Sequence, residues 1–410
     1  MRVAVISPFV DRQHGTERVL AEQLQRLSAA HGCQVLLYSQ RVHDLDVSSS
    51  QDGREIGSNG LRWRRVASIS GPHLLQFLFW LCANSISRWW DRRFRGVRSD
   101  LLFSPGVNAF DADAIAVHIV FHEFYRQTLK QLGFRGTPLR AWLRRLHRRL
   151  YYQCIMAMER RIYRDPKVQL TAVSGLVAKQ LREHFGRSDV QVIPNGVAVN
   201  EFNRTERMQR REQARMEWGL ASDEIVALLV GNDWVKKGLH CALGSLAILR
   251  DLPIKLIVAG SDDREIFASE LQRLGLQDRV RFAPSRNDVM HYYAAADVYV
   301  APSLEDAYGL PIIEAMSCGL PVIASVRAGA SEAIQHGMNG LLLKDPASAE
   351  ELARHIGELF WDEALRQRLG QAAEITARGY NWERNAQALM DFLTRAAAHR
   401  RTTRKDSPQF

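Results

Sequence analysis

The chain has 410 residues and a mass of 46.6 kDa, with 46% apolar and 24% charged side chains. That excludes a disordered polymer or a small disulfide-stapled peptide, and it leaves material for two or three packed domains at roughly 150 residues each. The net charge of +10 is uneven: residues 1–200 hold 29 basic and 16 acidic side chains, whereas 201–410 hold 26 and 29. The first half is therefore built to meet something negative, and charge alone does not choose among nucleic acid, anionic lipid headgroups and phosphorylated glycans.

The N-terminal run MRVAVISPFV turns polar at Asp11 and Arg12 with no small-residue cleavage site, so it reads as a first strand and not as a signal peptide. Five cysteines, Cys33, Cys82, Cys154, Cys241 and Cys318, are odd in number and have no C-x-x-C pairing. Both features predict a reducing, cytoplasmic setting without a structural zinc. Strand-like runs then alternate with amphipathic helical stretches: Val3 to Ile6, Glu17 to Ala29, Gln34 to Tyr38, Gln169 to Val173, Leu176 to His184, Val190 to Ile193. The alternation resumes with Ile225 to Val230, Ile254 to Ala259, Val280 to Phe282, Val298 to Val300 and Leu320 to Ala324. This order predicts an α/β fold of two doubly wound parallel sheets, hinged at Pro194-Asn195-Gly196 after a strand and before the charged stretch Glu201 to Glu217. Two such domains facing each other would hold a ligand in the crevice outside their strand ends.

Two segments interrupt the first block. Leu74 to Arg98 joins Phe77, Leu78, Trp80, Leu81, Trp89 and Trp90 to a basic end with Arg88, Arg92, Arg93, Arg95 and Arg98. Arg140 to Arg161 repeats the theme with Arg144, Arg145, Arg148 and Arg149. Such helices either lie in a headgroup plane or pack as ordinary surface helices. The longest apolar run, Leu74 to Ala83, is about half of the roughly 20 residues a spanning helix needs, so membrane contact is expected to be peripheral. Trp382 to Ala397 reads as a final helix, and 399–410 as a basic, mobile tail.

The most informative stretch is PSLEDAYGLPIIEAMSCGLP, residues 302–321. Pro311 in a first turn, Gly319 past the end and Pro321 beyond predict a helix whose N-terminus presents the amides of Gly309 and Leu310 to an anion. Asp306 and Glu314 flank that anion site; carboxylates do not bind phosphate, so sugar and ribose hydroxyls are their natural partners.

The run Asp306-Ala-Tyr308-Gly309-Leu310-Pro311-Ile-Ile-Glu314-Ala315 resembles the signature of the family 4 retaining nucleotide-sugar glycosyltransferases, which have the two-Rossmann GT-B fold. The family's usual first acid is Glu, one methylene longer than Asp306, and Glu305 stands beside it as an alternative. The resemblance implies that Glu314 binds the nucleotide ribose and Asp306 the transferred sugar. Gly231-Asn232-Asp233-Trp234-Val-Lys236-Lys237-Gly238 is similar to the family's G-R…K-G loop, with Lys237 in the diphosphate-binding lysine position and Asn232 where many members carry Arg. Lipopolysaccharide-core glucosyltransferases show a similar G-x-D-[FW]-x-x-K-G form.

His14-Gly15-Thr16-Glu17-Arg18 resembles the first-strand loop over the donor phosphate, where Gly15 permits close backbone approach and His14 replaces a usual glycine. His118 fits the family's strand-end histidine near the sugar, with His122 as the alternative, and Arg281-Phe282 fits the segment whose backbone meets the nucleobase. By this resemblance 1–195 is the acceptor-binding domain and 196–378 the nucleotide-sugar domain, with a helix over 379–398 packing back on the first. The expected activity is retaining, metal-independent hexosyl transfer from a nucleotide-diphosphate sugar to a glycan or lipid-linked acceptor, without a cofactor, in lipopolysaccharide or other cell-surface polysaccharide synthesis. An anionic membrane surface is an expected partner; nucleic acid is not, because no recognisable motif accompanies the charge. The rival expectation is a non-catalytic module of the same fold that holds phosphorylated glycan or anionic lipid. A dinucleotide oxidoreductase is disfavoured, since Ser7-Pro-Phe9 stands where G-x-G-x-x-G would follow the first strand.

Overall fold

Short apolar runs become parallel strands in two separate units. The computed structural model describes residues 1–12, 15–49, 60–128, 139–286 and 288–405. His14 and residues 406–410 of the basic tail lie outside the described residues, as do the side chains of Arg140 and Arg144. One unit comprises Met1–Ile193 with Asn385–Phe410, the other Pro194–Arg384.

The first unit contains β1 (Arg2–Ile6), β2 (Phe9–Val10), β3 (Gln34–Ser39), β4 (Arg41–Val42), β5 (Ser48–Ser49), β6 (Leu61–Arg65), β7 (Leu101–Pro105), β8 (Ala114–Val117), β9 (Gln169–Ala172) and β10 (Gln191–Val192). Eight of these form one sheet in the order β10-β9-β8-β7-β1-β3-β6-β5, with every pairing parallel. Its helices are α1 (Gly15–Ala29), α2 (His73–Phe94), α3 (Phe121–Thr128), α4 (Leu139–Tyr163) and α5 (Gly175–Phe185). Val3, Val5, Leu24, Leu37 and Phe103 share a core with Leu389, Phe392 and Leu393 near the chain's end.

The second unit contains α6 (Arg204–Glu217), β11 (Ile225–Val230), α7 (Leu239–Ile248), β12 (Ile254–Ala259), α8 (Ala268–Leu274), β13 (Val280–Ala283), α9 (Met290–Ala295), β14 (Val298–Ala301), α10 (Leu310–Ser317), β15 (Val322–Ser325), β16 (Leu341–Leu343), α11 (Ala349–Trp361) and α12 (Glu363–Ala377). Helix α13 (Trp382–Lys405) begins here and belongs to the first unit from Asn385 on. The sheet order is β13-β12-β11-β14-β15-β16, again parallel throughout. From β11 the chain winds one way to β12 and β13, then returns to the other side for β14, so β11 and β14 flank a topological switch point. Loops leaving their carboxyl ends diverge there, which makes a crevice for a ligand.

Those two loops meet closely. Gly238 has φ +80, and a Cβ built on it would lie 1.9 Å from the Pro302 carbonyl oxygen. Gly260 is equally enclosed, 2.3 Å from the Gly231 carbonyl oxygen. Replacing Gly238 by Ala should therefore cost at least about 3 kcal/mol through backbone strain and overlap, read as a drop in thermal or urea midpoint. An unchanged midpoint would refute the close approach.

Candidate active site

Strand β11 ends at Val230, and Gly231, at φ +138, turns the chain over its own loop; a Cβ there would meet Lys237 Cε at 2.9 Å. Asp233, one of two non-glycine residues at positive φ among the described residues, continues the turn and accepts Lys237 N–H through its carbonyl at 2.9 Å. Lys236 pairs with the Asp233 carboxylate at 3.1 Å, outside the site. Lys237 instead reaches Asp306, and its ammonium forms an ion pair with Asp306 Oδ2. The side chains are 22% and 16% exposed, so the pair is largely desolvated and each charge needs the other.

Asp306 is held by backbone as well. Its N–H donates to the Arg327 carbonyl, its C=O accepts from Gly329, and Oδ1 accepts from Tyr308 N–H at 3.3 Å. Gly309, at φ +88, is the N-cap of α10, and a Cβ there would press on Asp306 Oδ2 at 3.1 Å. Helix α10 then starts at Leu310 with Pro311 in its first turn, so N–H groups without intrahelical partners face the end where Lys237 and Asp306 meet. A small cavity there is lined by Lys237, Tyr299, Ser303, Asp306, Gly309 and Pro311.

Glu314 lies one turn inside α10 and is only 3% exposed, so its carboxylate belongs to the interior and not to a solvated helix face. Its Oε2 accepts from the Tyr293 hydroxyl at 2.8 Å. Burial, and next the Glu314 charge, push the Tyr293 hydroxyl well above its ordinary range, so it stays a donor. Tyr293 was not marked by the sequence, because only the register of α9 against α10 reveals it.

Other sequence candidates take more specific places. Tyr308 is buried; its hydroxyl donates to the Asn195 carbonyl at 2.7 Å, its N–H donates to Asp306 Oδ1 and its C=O accepts from Ala330 N–H, so side chain and backbone alike brace the loop, and the expected contact to a ligand is not what this residue is free to make. Asn232 offers its side-chain oxygen to Ser261 N–H at 2.9 Å, tying the β11 and β12 loops together where the family resemblance puts a cation. Phe282 packs its ring on Trp234 at 5.0 Å, while Arg281 is exposed. Leu256 and Gly260 of the β12 side donate to the carbonyls of Arg279 and Ala283, so strand alternation turns the Phe282 N–H and C=O away from β12.

In the first unit, Gly15 opens α1, and a Cβ there would meet open space. His118 follows β8 directly; its Nε2 is enclosed and has no partner, and burial pushes its imidazole down to about 4. His122 is engaged otherwise: its Nδ1 lies 2.7 Å from the fully buried Glu159 carboxylate and its Nε2 accepts from Arg160 at 3.0 Å. Arg88 corrects the picture of a wholly basic helix end, since it is 3% exposed and lies 2.7 Å from Asp111. Among the described residues no group of three His, Cys, Asp or Glu is placed to hold a metal ion, and no helix is long and apolar enough to cross a membrane.

Because unfolded His118 takes up a proton near the ordinary histidine value of 6.5 and the folded form only at about 4, its contribution to stability is complete above the higher value. It is lost as pH falls between the two, by as much as about 3 kcal/mol. A His118→Phe variant should therefore show a flatter fall of unfolding free energy between those pH values than the wild type. Equal slopes would contradict the enclosed, neutral imidazole.

Comparison with known proteins agrees with both units. The model for Glycosyltransferase Family 4 matches residues 14–201, and that for Glycosyl transferases group 1 matches 210–376. Among curated relatives, the D-inositol 3-phosphate glycosyltransferase of Streptomyces avermitilis is 32% identical over 255 residues, covering 58% of this chain and 54% of that protein. The enzyme of the same name from Nocardiopsis dassonvillei is 34% identical over 242 residues, covering 54% of each. The chain thus spans about half the length of the curated relatives it matches. Among solved structures, WaaG, a glycosyltransferase involved in lipopolysaccharide biosynthesis, aligns with TM-score 0.73 at 20% identity over 96% of this chain and 99% of that one. Anabaena HepE, in complex with UDP-glucose, aligns with TM-score 0.70 at 19% identity over 96% and 99%. These distant likenesses establish the fold as GT-B. Two glycosyltransferase family models thus match this chain in succession, family 4 over residues 14–201 and group 1 over residues 210–376.

Proposed function

We propose that the chain transfers a hexose from a nucleotide-diphosphate sugar to a hydroxyl of a glycan or lipid-linked acceptor, with retained anomeric configuration and without a metal ion. The observation that carries this reading is the convergence of Lys237, Asp306 and the α10 N-terminus at the switch point of the second sheet. A diphosphate brings negative charge, and an ammonium with aligned helix amides is a set of groups that receives it. HepE, whose fold this chain shares, has been crystallised with UDP-glucose, which supports a nucleotide sugar as donor.

In this mechanism Lys237 and the amides of Gly309 and Leu310 neutralise the diphosphate as the bond from sugar C1 to phosphate oxygen breaks. The acceptor hydroxyl bonds to C1 on the same face, and its proton passes to the departing phosphate oxygen. Glu314, fixed by Tyr293, accepts from the ribose hydroxyls; Asp306 accepts from a sugar hydroxyl once the diphosphate competes for Lys237. The Gly231 and Phe282 backbone serve the donor's other end. The name of the inositol-phosphate relatives supports a phosphate-bearing acceptor, and that of WaaG a part in lipopolysaccharide synthesis. We place the reaction in cell-surface polysaccharide synthesis at the cytoplasmic face of the membrane.

Incubation with a panel of nucleotide sugars should give slow nucleoside diphosphate release without acceptor and faster release with it. Lys237→Ala and Glu314→Gln should each lower turnover at least about 100-fold, with circular dichroism confirming the fold. Either variant at the wild-type rate would defeat the donor-site assignment, and a wild type that binds nucleotide sugars without turnover would leave a binding module. Chelation with EDTA should leave the rate unchanged; its loss would overturn metal independence.

A further inference from the structure

Strand β14 reads Val298-Tyr-Val-Ala301, and Tyr299 alone among its side chains carries a polar atom. Val298 and Val300 join the core with Leu243 of α7 and Leu352 of α11. Alternation therefore turns Tyr299 to the opposite face of the sheet, where its ring centroid lies 6.2 Å from that of Tyr293 on α9. Tyr299 is 2% exposed. It nevertheless lines the small cavity at the end of the strand, together with Lys237 and Asp306.

The two tyrosines differ in what holds their hydroxyls. That of Tyr293 donates to Glu314 at 2.8 Å, so its proton is committed. That of Tyr299 accepts from the Val230 backbone at the end of β11, which directs its own proton away from that strand. Burial, and next the charges of Asp306 and Glu314, push this hydroxyl well above its ordinary range, so it stays a donor. Asp306 needs such a donor in one state of the site. Its Oδ2 meets the Lys237 ammonium, and its Oδ1 accepts from Tyr308 N–H at 3.3 Å. A diphosphate that draws the ammonium toward itself takes away the cation paired with Asp306, and a carboxylate whose side chain is 16% exposed is costly to leave without a donor.

We propose that Tyr299 is a positioning residue of the donor site: its hydroxyl donates to Asp306 when a nucleoside diphosphate takes Lys237, and so keeps that carboxylate ionised and in place for the sugar. This rests on the diphosphate reading of the site given above. Lys237 and Tyr299 then hold Asp306 in turn, one before the donor binds and the other after. A neutral hydroxyl suits the exchange, since it satisfies one lone pair of the carboxylate and leaves the others for a sugar hydroxyl.

The test measures binding of ADP, CDP, GDP, TDP and UDP to the full chain by titration calorimetry and continues with the nucleotide that the wild type binds most tightly. Tyr299→Phe keeps the ring and removes the hydroxyl. It should bind that nucleotide at least about tenfold more weakly, and its KM for the matching nucleotide sugar should rise by more than its kcat falls. Asp306→Asn has no charge to satisfy, so it should bind the nucleotide at least as tightly as the wild type. Adding Tyr299→Phe to Asp306→Asn should then change the affinity less than about twofold, whereas a merely structural hydroxyl would weaken binding in both backgrounds. Equal affinity of Tyr299→Phe and the wild type overturns the proposal, as does the same loss in the Asp306→Asn background. So does an Asp306→Asn variant that binds more weakly than the wild type, a comparison independent of how well Tyr299→Phe folds. A wild type that binds none of the nucleotides overturns the diphosphate reading and this proposal with it; the other outcomes leave that reading standing.

Discussion

The site exists because two loops pass each other without room for a side chain. Gly238 runs beneath the Pro302 carbonyl, and Leu304 N–H donates to the Lys236 carbonyl at 2.8 Å. These contacts fix the loop after β11 against the loop after β14, and the Lys237–Asp306 pair follows from them across 69 residues of sequence. Gly309 then allows Asp306 to lie against the start of α10. Each glycine acts by what it lacks, and together they draw an ammonium, a carboxylate and a helix N-terminus into one crevice.

The two candidate carboxylates, Glu314 and Asp306, are built differently, and the difference suits different tasks. Glu314 is buried on a helix and held by a tyrosine hydroxyl, a fixed acceptor whose geometry does not depend on a ligand. Asp306 sits on a loop and its strongest partner is itself a cation. In the proposed reaction a diphosphate competes for that cation, so donor binding would release Asp306 toward the sugar while Glu314 stays in place. An ion pair that covers both charges before the donor arrives also avoids leaving either one alone in a partly dry site.

Much of this could be read from the chain itself because the informative residues are those with conformational constraints. Pro311, Gly309 and Gly319 bracket α10 within one turn of where they predict it. The strands with uniform apolar runs, β11 and β12, fall on their expected residues. Strand β6 escaped, since LRWRR reads as a charged loop; its alternation becomes visible only when Trp63 donates to the Ser39 carbonyl and Arg64 reaches Asp91. Tyr293 and the stapling role of Asn232 escaped for a related reason: both are pairings across separate elements, and spacing along the chain does not encode them.

Charge shows the same limit from the other side. The excess of basic residues in the first half points to a negative partner, yet part of it serves the interior. Arg187, 6% exposed, donates to the carbonyls of Tyr163, Asp165 and Val168, and Arg88 is closed against Asp111. Arg148 and Arg149 donate to the hydroxyls of Tyr152 and Tyr125. A guanidinium with five donors is well suited to gather carbonyl groups, so its charge in the composition does not translate directly into surface potential. Arg93 on α2 differs in that it is exposed, over the exposed Phe94 ring at 5.5 Å. Position relative to a buried anchor, more than the count of positive residues, therefore decides how much of this charge reaches the surface.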